Sequence, residues 1–137
     1  MNAKTAGAPK ASRRAGNPGR TGKNEASGSL TYLRIVEEVT ESGITRAELS
    51  KAVGAAERTV QTWVAGTSMP TGIRAQRLLD VQLVVRMLAD VYTQEGVRIW
   101  LNSRNRNLGL ERPIDLLAEG QIDIVLEEAA SIAGVDY

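Results

Sequence analysis

Residues 43–70 read GITRAELSKAVGAAERTVQTWVAGTSMP. Two short runs with helical apolar spacing flank a glycine. In the first, Ala47, Leu49, Ala52 and Val53 share one face. Thr45 stands three residues ahead of Glu48, the spacing of a capping box, and Gly54 supplies a stop. The second run, about residues 56–65, carries Val60, Trp63 and Val64, and Gly66 ends it. Met69-Pro70-Thr71-Gly72 is punctuation. Two short helices across a Gly-containing turn make a helix-turn-helix pattern. In that motif the early residues of the second helix face the major groove. The candidate DNA contacts are therefore Glu57, Arg58, Thr59, Gln61 and Thr62. Arg is the usual bidentate reader of guanine. Thr45 and Arg46 open the preceding helix, where backbone N–H groups and a cation can grip a phosphate.

Working outward, Leu30, Leu33, Ile35, Val36 and Val39 give a helical stripe, with Ser29 as N-cap and Gly43 as stop. Downstream, a long helix is expected over about residues 73–94. Its Leu78, Leu79, Val81, Leu83, Val84, Val85, Met87, Leu88, Val91 and Tyr92 spread over more than one side, which predicts burial between two units or two subunits. On the second reading Val84 and Leu88 would lie in a dimer core. A short helix opening near Gly96 carries Ile99, Trp100 and Leu101. A polar loop follows over residues 102–111. Pro113 suits a first helical position ahead of Ile114-Asp115-Leu116-Leu117, and Gly120 closes that helix. A last helix, about residues 121–132, carries Ile122, Val125, Leu126 and Ala129, and Gly134 follows it. There is no convincing strand and no internal repeat. The chain reads as all-α.

The chain has 137 residues, with no Cys and no His. It therefore has no disulfide framework, and it lacks the commonest general base and metal ligand. The carboxylate pairs Glu37/Glu38 and Glu127/Glu128 are adjacent, so they diverge around a helix instead of converging on a substrate. GNPGRTGK at residues 16–23 has neither the preceding strand nor the spacing of a phosphate loop. The expectation is no enzyme, no cofactor and no metal. No apolar run approaches the roughly 20 residues of a membrane span, and no signal-peptide core is evident, so a cytoplasmic setting is expected.

Net charge is +1, unevenly spread. Residues 1–28 hold six basic groups against one acidic, and residues 81–137 hold five basic against nine acidic. The first segment has no large apolar side chain after Met1 and is expected to be a disordered basic tail, either an arm touching phosphates or a solvated linker. The acidic end could steer a basic partner surface or serve solubility.

Residues 100–120 read WLNSRNRNLGLERPIDLLAEG. On chemistry alone Trp100, Leu116 and Leu117 are most simply core, and Asp115 is an early-helix charge or local cap. Residues 43–70 resemble the Cro/lambda-repressor-like (Xre-type) helix-turn-helix on Thr45, Leu49, Gly54, Thr59, Val60, Trp63, Gly66 and Pro70. The block at 100–120 is similar to the toxin-binding domain of the Xre/MbcA/ParS antitoxins on Trp100, Leu101, Asn102, Ser103, Leu108, Gly109, Pro113, Ile114, Asp115, Leu116 and Leu117. Arg104 and Arg106 stand where that family often has Pro, and Leu110 where a second Gly is common, which implies a less rigid loop.

The resemblance implies a disordered tail over residues 1–28, a helix-turn-helix domain over 29–74 and a small helical toxin-binding domain over 75–137, joined by the long helix. It implies an antitoxin of a type II toxin–antitoxin module. Such a protein neutralises a RES-domain toxin that degrades NAD and represses its own operon at operator DNA, as a homodimer. The residues it assigns to toxin binding are Trp100, Asn102, Ser103, Arg104, Leu108, Gly109, Pro113, Asp115, Gly134 and Tyr137. The other reading is a stand-alone helix-turn-helix regulator whose C-terminal domain only dimerises.

Overall fold

The computed structural model describes residues 18–135. Their regular structure is helical: α1 (Pro18–Glu41), α2 (Arg46–Val53), α3 (Glu57–Ala65), α4 (Gly72–Ala89), α5 (Gln94–Asn102), α6 (Pro113–Ala118) and α7 (Ile122–Ala133). A single 3-10 turn, Arg106–Leu108, lies between α5 and α6. Among the described residues, extended pairing is limited to one antiparallel bridge between Asn105 and Glu111. The all-α class expected from the periodicity is the class observed.

Local chemistry sets the helix ends. The Glu48 backbone N–H donates to Thr45 Oγ1 at 3.1 Å, and the Thr45 N–H donates to Glu48 Oε1 at 2.9 Å, which completes the capping box. A cap of this kind stabilises a helix by about 1 kcal/mol. Gly54 ends α2 in the left-handed region at φ 77°. The three-residue turn Gly54-Ala55-Ala56 then delivers α3. Arg74 Nε donates to the Gly54 carbonyl at 3.2 Å, tying the start of α4 to that turn. Thr93 caps α5 by accepting from the Gly96 N–H at 3.1 Å. This cap starts α5 at Gln94, while α4 ends at Ala89, short of the expected residue 94.

The first helix begins at Pro18, eleven residues ahead of the expected start at Ser29. For residues 18–28 the expectation of disorder is thus corrected; for residues 1–17 it lies outside the described residues. The physical reason is that helix growth onto an existing nucleus costs far less than nucleation, and the stripe from Leu30 to Val39 supplies the nucleus. Pro at the first position sacrifices no hydrogen bond.

Twenty-six buried apolar side chains form one cluster that runs from Ile35 in α1 to Ala130 in α7. Helix α4 is its centre and packs against α1, α2, α5 and α7. Its Leu78, Val81, Val84 and Leu88 are fully buried, while Leu79 and Leu83 remain at the surface. This corrects the dimer-core expectation for Val84 and Leu88. Both are covered within one chain, because four helices of that chain already surround α4. Helix α2 packs on α6, so the helices read as a DNA-binding head and those read as a separate tail share one core. Across the outside of that core, Glu38 in α1 receives Arg86 Nε at 2.9 Å and Gln82 Nε2 at 3.0 Å from α4. The Arg86 hydrogen bond outweighs partial burial and holds the Glu38 carboxyl below the usual carboxylate range.

Val84→Asp places an unpaired charge in this closed site, which costs several kcal/mol. The expected result is loss of the helical circular-dichroism signal in the isolated chain. A folded variant whose only change is its sedimentation would return Val84 to an intersubunit surface.

Candidate functional site

The two surfaces singled out in the sequence are a loop held between α5 and α6 and the outer side of α3. The loop is built from its ends inward. Helix α5 leaves Trp100 half-buried against the core and Leu101 fully buried. Its last turn is closed by its own side chains. Asn102 Nδ2 donates to the Arg98 carbonyl at 2.9 Å, and Ser103 Oγ donates to the Ile99 carbonyl at 2.6 Å. Both side chains are exposed but already engaged.

Asn105 is the hub of the loop. Its carbonyl accepts from the N–H groups of Leu108 at 3.0 Å and Leu110 at 2.9 Å, and its own N–H donates to the Glu111 carbonyl at 3.0 Å. Its side-chain Oδ1 accepts from the Asn107 N–H at 2.9 Å, an Asx turn. These bonds supply a constraint where proline is missing at Arg104 and Arg106. Arg104 adds another by donating to the Leu110 carbonyl at 3.2 Å. Leu108 turns inward and is buried. Gly109 and Leu110 then both adopt left-handed backbone, at φ 68° and 67°. For leucine that conformation costs about 1–2 kcal/mol, because Cβ crowds the following carbonyl.

Pro113, buried, opens α6, and Asp115 sits in its first turn. Arg112 grips Asp115 with two hydrogen bonds of 2.9 Å each. Those bonds hold the Asp115 carboxyl below its usual range. Asp115 is therefore a local brace for the loop's exit, half-exposed on its outer side. Asn107 Nδ2 reaches across to Glu128 Oε2 on α7 at 2.9 Å. Beneath the loop lies a groove of about 450 Å³ lined by Asn107, Leu108, Glu111, Leu116, Glu119, Gln121 and Ile124. Gly134 caps α7 in left-handed backbone at φ 72°. Tyr137 lies outside the described residues.

On α3, Glu57, Arg58 and Gln61 are exposed and Thr59 is partly so, while Val60 and Trp63 point into the core. Arg46 is exposed at the first position of α2. Two expected contacts are committed internally. The Thr45 hydroxyl is used by the capping box, and the Thr62 hydroxyl donates to the Thr59 carbonyl at 2.6 Å while also bonding Ser68. A free polar surface on this side thus rests on Arg46, Glu57, Arg58 and Gln61.

The sequence reading assigned no role to Asn105, Asn107, Leu110 or Ile124. Asn two residues ahead of a bonded N–H is a detectable Asx signal. The left-handed Leu110 carries none in its own residue type, since leucine in that region is rare, but the second Gly common at this place in the family it resembles is such a signal. Among the described residues there is no group of acidic side chains that could hold a metal ion, and no helix is long and apolar enough to cross a membrane.

No protein-family model matches the chain. A Mycobacterium tuberculosis protein named probable mycobacterial cidal antitoxin Rv3188 is 33% identical over 103 residues, which cover 75% of this chain and 88% of that protein. The chain belongs to the mycobacterial cidal antitoxin family. The antitoxin MbcA of Mycobacterium bovis is 34% identical over 84 residues, 61% of this chain and 74% of that protein. A chain of the crystal structure of the M. tuberculosis MbcT–MbcA toxin–antitoxin complex superposes with a TM-score of 0.61 at 30% identity. It covers 78% of this chain and 97% of the other. This MbcA-type antitoxin therefore shares with that chain both sequence and a helical fold.

Gly109 has open space where a Cβ would stand, so its need for glycine is purely conformational. Gly109→Ala should cost about 1 kcal/mol, the usual penalty for a side chain at positive φ. Chemical denaturation measures it. An unchanged midpoint would mean that the loop can relax out of the left-handed region freely.

Proposed function

We propose that this chain is the non-enzymatic antitoxin of a type II toxin–antitoxin module. In this reading it binds and neutralises a RES-domain toxin that degrades NAD, in the cytoplasm, and represses its own operon by binding operator DNA. The observation that carries the toxin half is the match, over most of both chains, to antitoxins that include a chain from the MbcT–MbcA complex. The toxin surface is assigned to Trp100, Asn102, Ser103, Arg104, Leu108, Gly109, Pro113 and Asp115, with Gly134 and Tyr137 at the chain's end. Trp100, Leu108 and Pro113 act by fixing the loop, since they are wholly or partly buried. Asn102, Ser103 and Arg104 are exposed, and although each already bonds a nearby carbonyl, they are the ones a partner can reach. Co-expression tests this half. The toxin encoded in the neighbouring reading frame should arrest growth alone and be silenced by this chain. A toxin that keeps its NAD-consuming activity with the chain bound at saturation would overturn it.

The DNA half is supported by a different observation: two short helices across a three-residue turn, with Arg46 exposed at the start of the first and Arg58 and Gln61 exposed on the second. Arg58 is assigned to a base edge and Arg46 to a phosphate. A homodimer on operator DNA would have to associate through surface that the core leaves free, such as Leu79 and Leu83 on the outside of α4. Arg58→Ala should cost about 1–3 kcal/mol of specific binding and relax one operator position, with toxin binding unchanged. Operator binding as tight and as selective as the parent's would leave α3 a structural helix.

A further inference from the structure

Among the described residues Leu110 is the one non-glycine side chain on left-handed backbone, and 59% of its surface is exposed. Its hydrogen bonds all run through the main chain: its N–H to Asn105 and its carbonyl to Arg104. Glycine would make every one of them, without the crowding at Cβ. The leucine side chain thus strains the fold and contributes little to the core. Strain of this kind persists where the surroundings over-determine it, and it clusters at binding sites. Here the surroundings are the Asn105 hub on one side and Pro113 with the Arg112–Asp115 pair on the other.

We propose that Leu110 is a preorganised hydrophobic anchor that inserts into an apolar, basic-rimmed pocket on the toxin. The proposal rests on the reading of this loop as the toxin-binding surface. Three observations specify the pocket's chemistry. The anchor is an aliphatic side chain held out by closed backbone, so the receiving site is apolar and concave. The groove beside it carries Glu111 and Glu119 with the exposed Ile124, so the pocket's rim is basic. Arg112 is paired with Asp115, whereas Arg104 keeps its charge in bonding the neutral Leu110 carbonyl and Arg106 is also exposed, so the basic part of the rim is confined to the side over the groove. Holding the leucine in its bound conformation beforehand removes an ordering cost from association, so a strained residue in the free chain favours the complex.

The test uses the full chain and the toxin from the neighbouring reading frame. Leu110→Gly should leave the Tm within a few degrees of the parent or raise it, and weaken toxin binding tenfold or more. Leu110→Asn, which tolerates left-handed backbone, should show the same loss. Leu110→Met keeps an aliphatic reach and should retain affinity to within about threefold. Affinity for Leu110→Gly within twofold of the parent overturns the anchor, as does a Tm lower by ten degrees, which would place the side chain in the chain's own core. A Leu110→Gly chain with altered sedimentation but full toxin affinity assigns the side chain to a second copy and also overturns it. Hydrogen exchange of residues 103–112 with and without toxin separates the two levels. Protection there with unchanged Leu110→Gly affinity defeats the anchor alone, and no protection there defeats the underlying reading of the loop.

Discussion

Helix α4 buries a side half its circumference wide, too wide for one neighbour, and the architecture follows from that constraint. An amphipathic helix is satisfied by one neighbouring layer. Here Leu78, Val81, Val84, Val85, Met87 and Leu88 must all leave water. Four helices surround α4, and α3 and α6 attach to those four. The outer polar residues of α1 and α4 then meet as Glu38, Gln82 and Arg86, which fixes how the first helix lies against the centre.

The same packing removes any linker between the elements assigned to DNA and those assigned to the toxin. Helix α2 contacts α3 on one side and α6 on another, and Leu49, Ala52 and Val53 belong to the same cluster as Ile114 and Leu117. A substitution that opens this core therefore weakens both surfaces together. Only outward residues such as Arg58 or Leu110 can separate the two proposed activities, because neither belongs to the cluster.

The loop between α5 and α6 follows a different rule. It buries Leu108 and Pro113 and spans the interval with bonds centred on Asn105, to which Arg104 adds one. Once those ends are pinned, the chain must reverse within two residues. Gly109 does this without penalty, and Leu110 does it at a cost. The backbone path is thus imposed by packing on either side.

The sequence by itself determined the helices and most of their ends. Thr45 with Glu48, Gly54, Gly66, Pro113 and Gly134 act through bonds within one helical turn, and such bonds are the same wherever the helix is later placed. It also determined which residues of α3 turn inward, because Val60 and Trp63 share a face by spacing alone. Only the tertiary structure decided what covers α4, since an apolar side chain does not encode whether its neighbour is in the same chain or another. Other outcomes were local yet not legible from residue type: helix growth carries α1 back to Pro18, Thr62 spends its hydroxyl on Thr59 and Ser68, and the bonds around Asn105 place Leu110 on left-handed backbone. For α4 the deciding energy comes from groups outside the local window, and for the others several local bonds compete, so spacing and propensity do not say which is made.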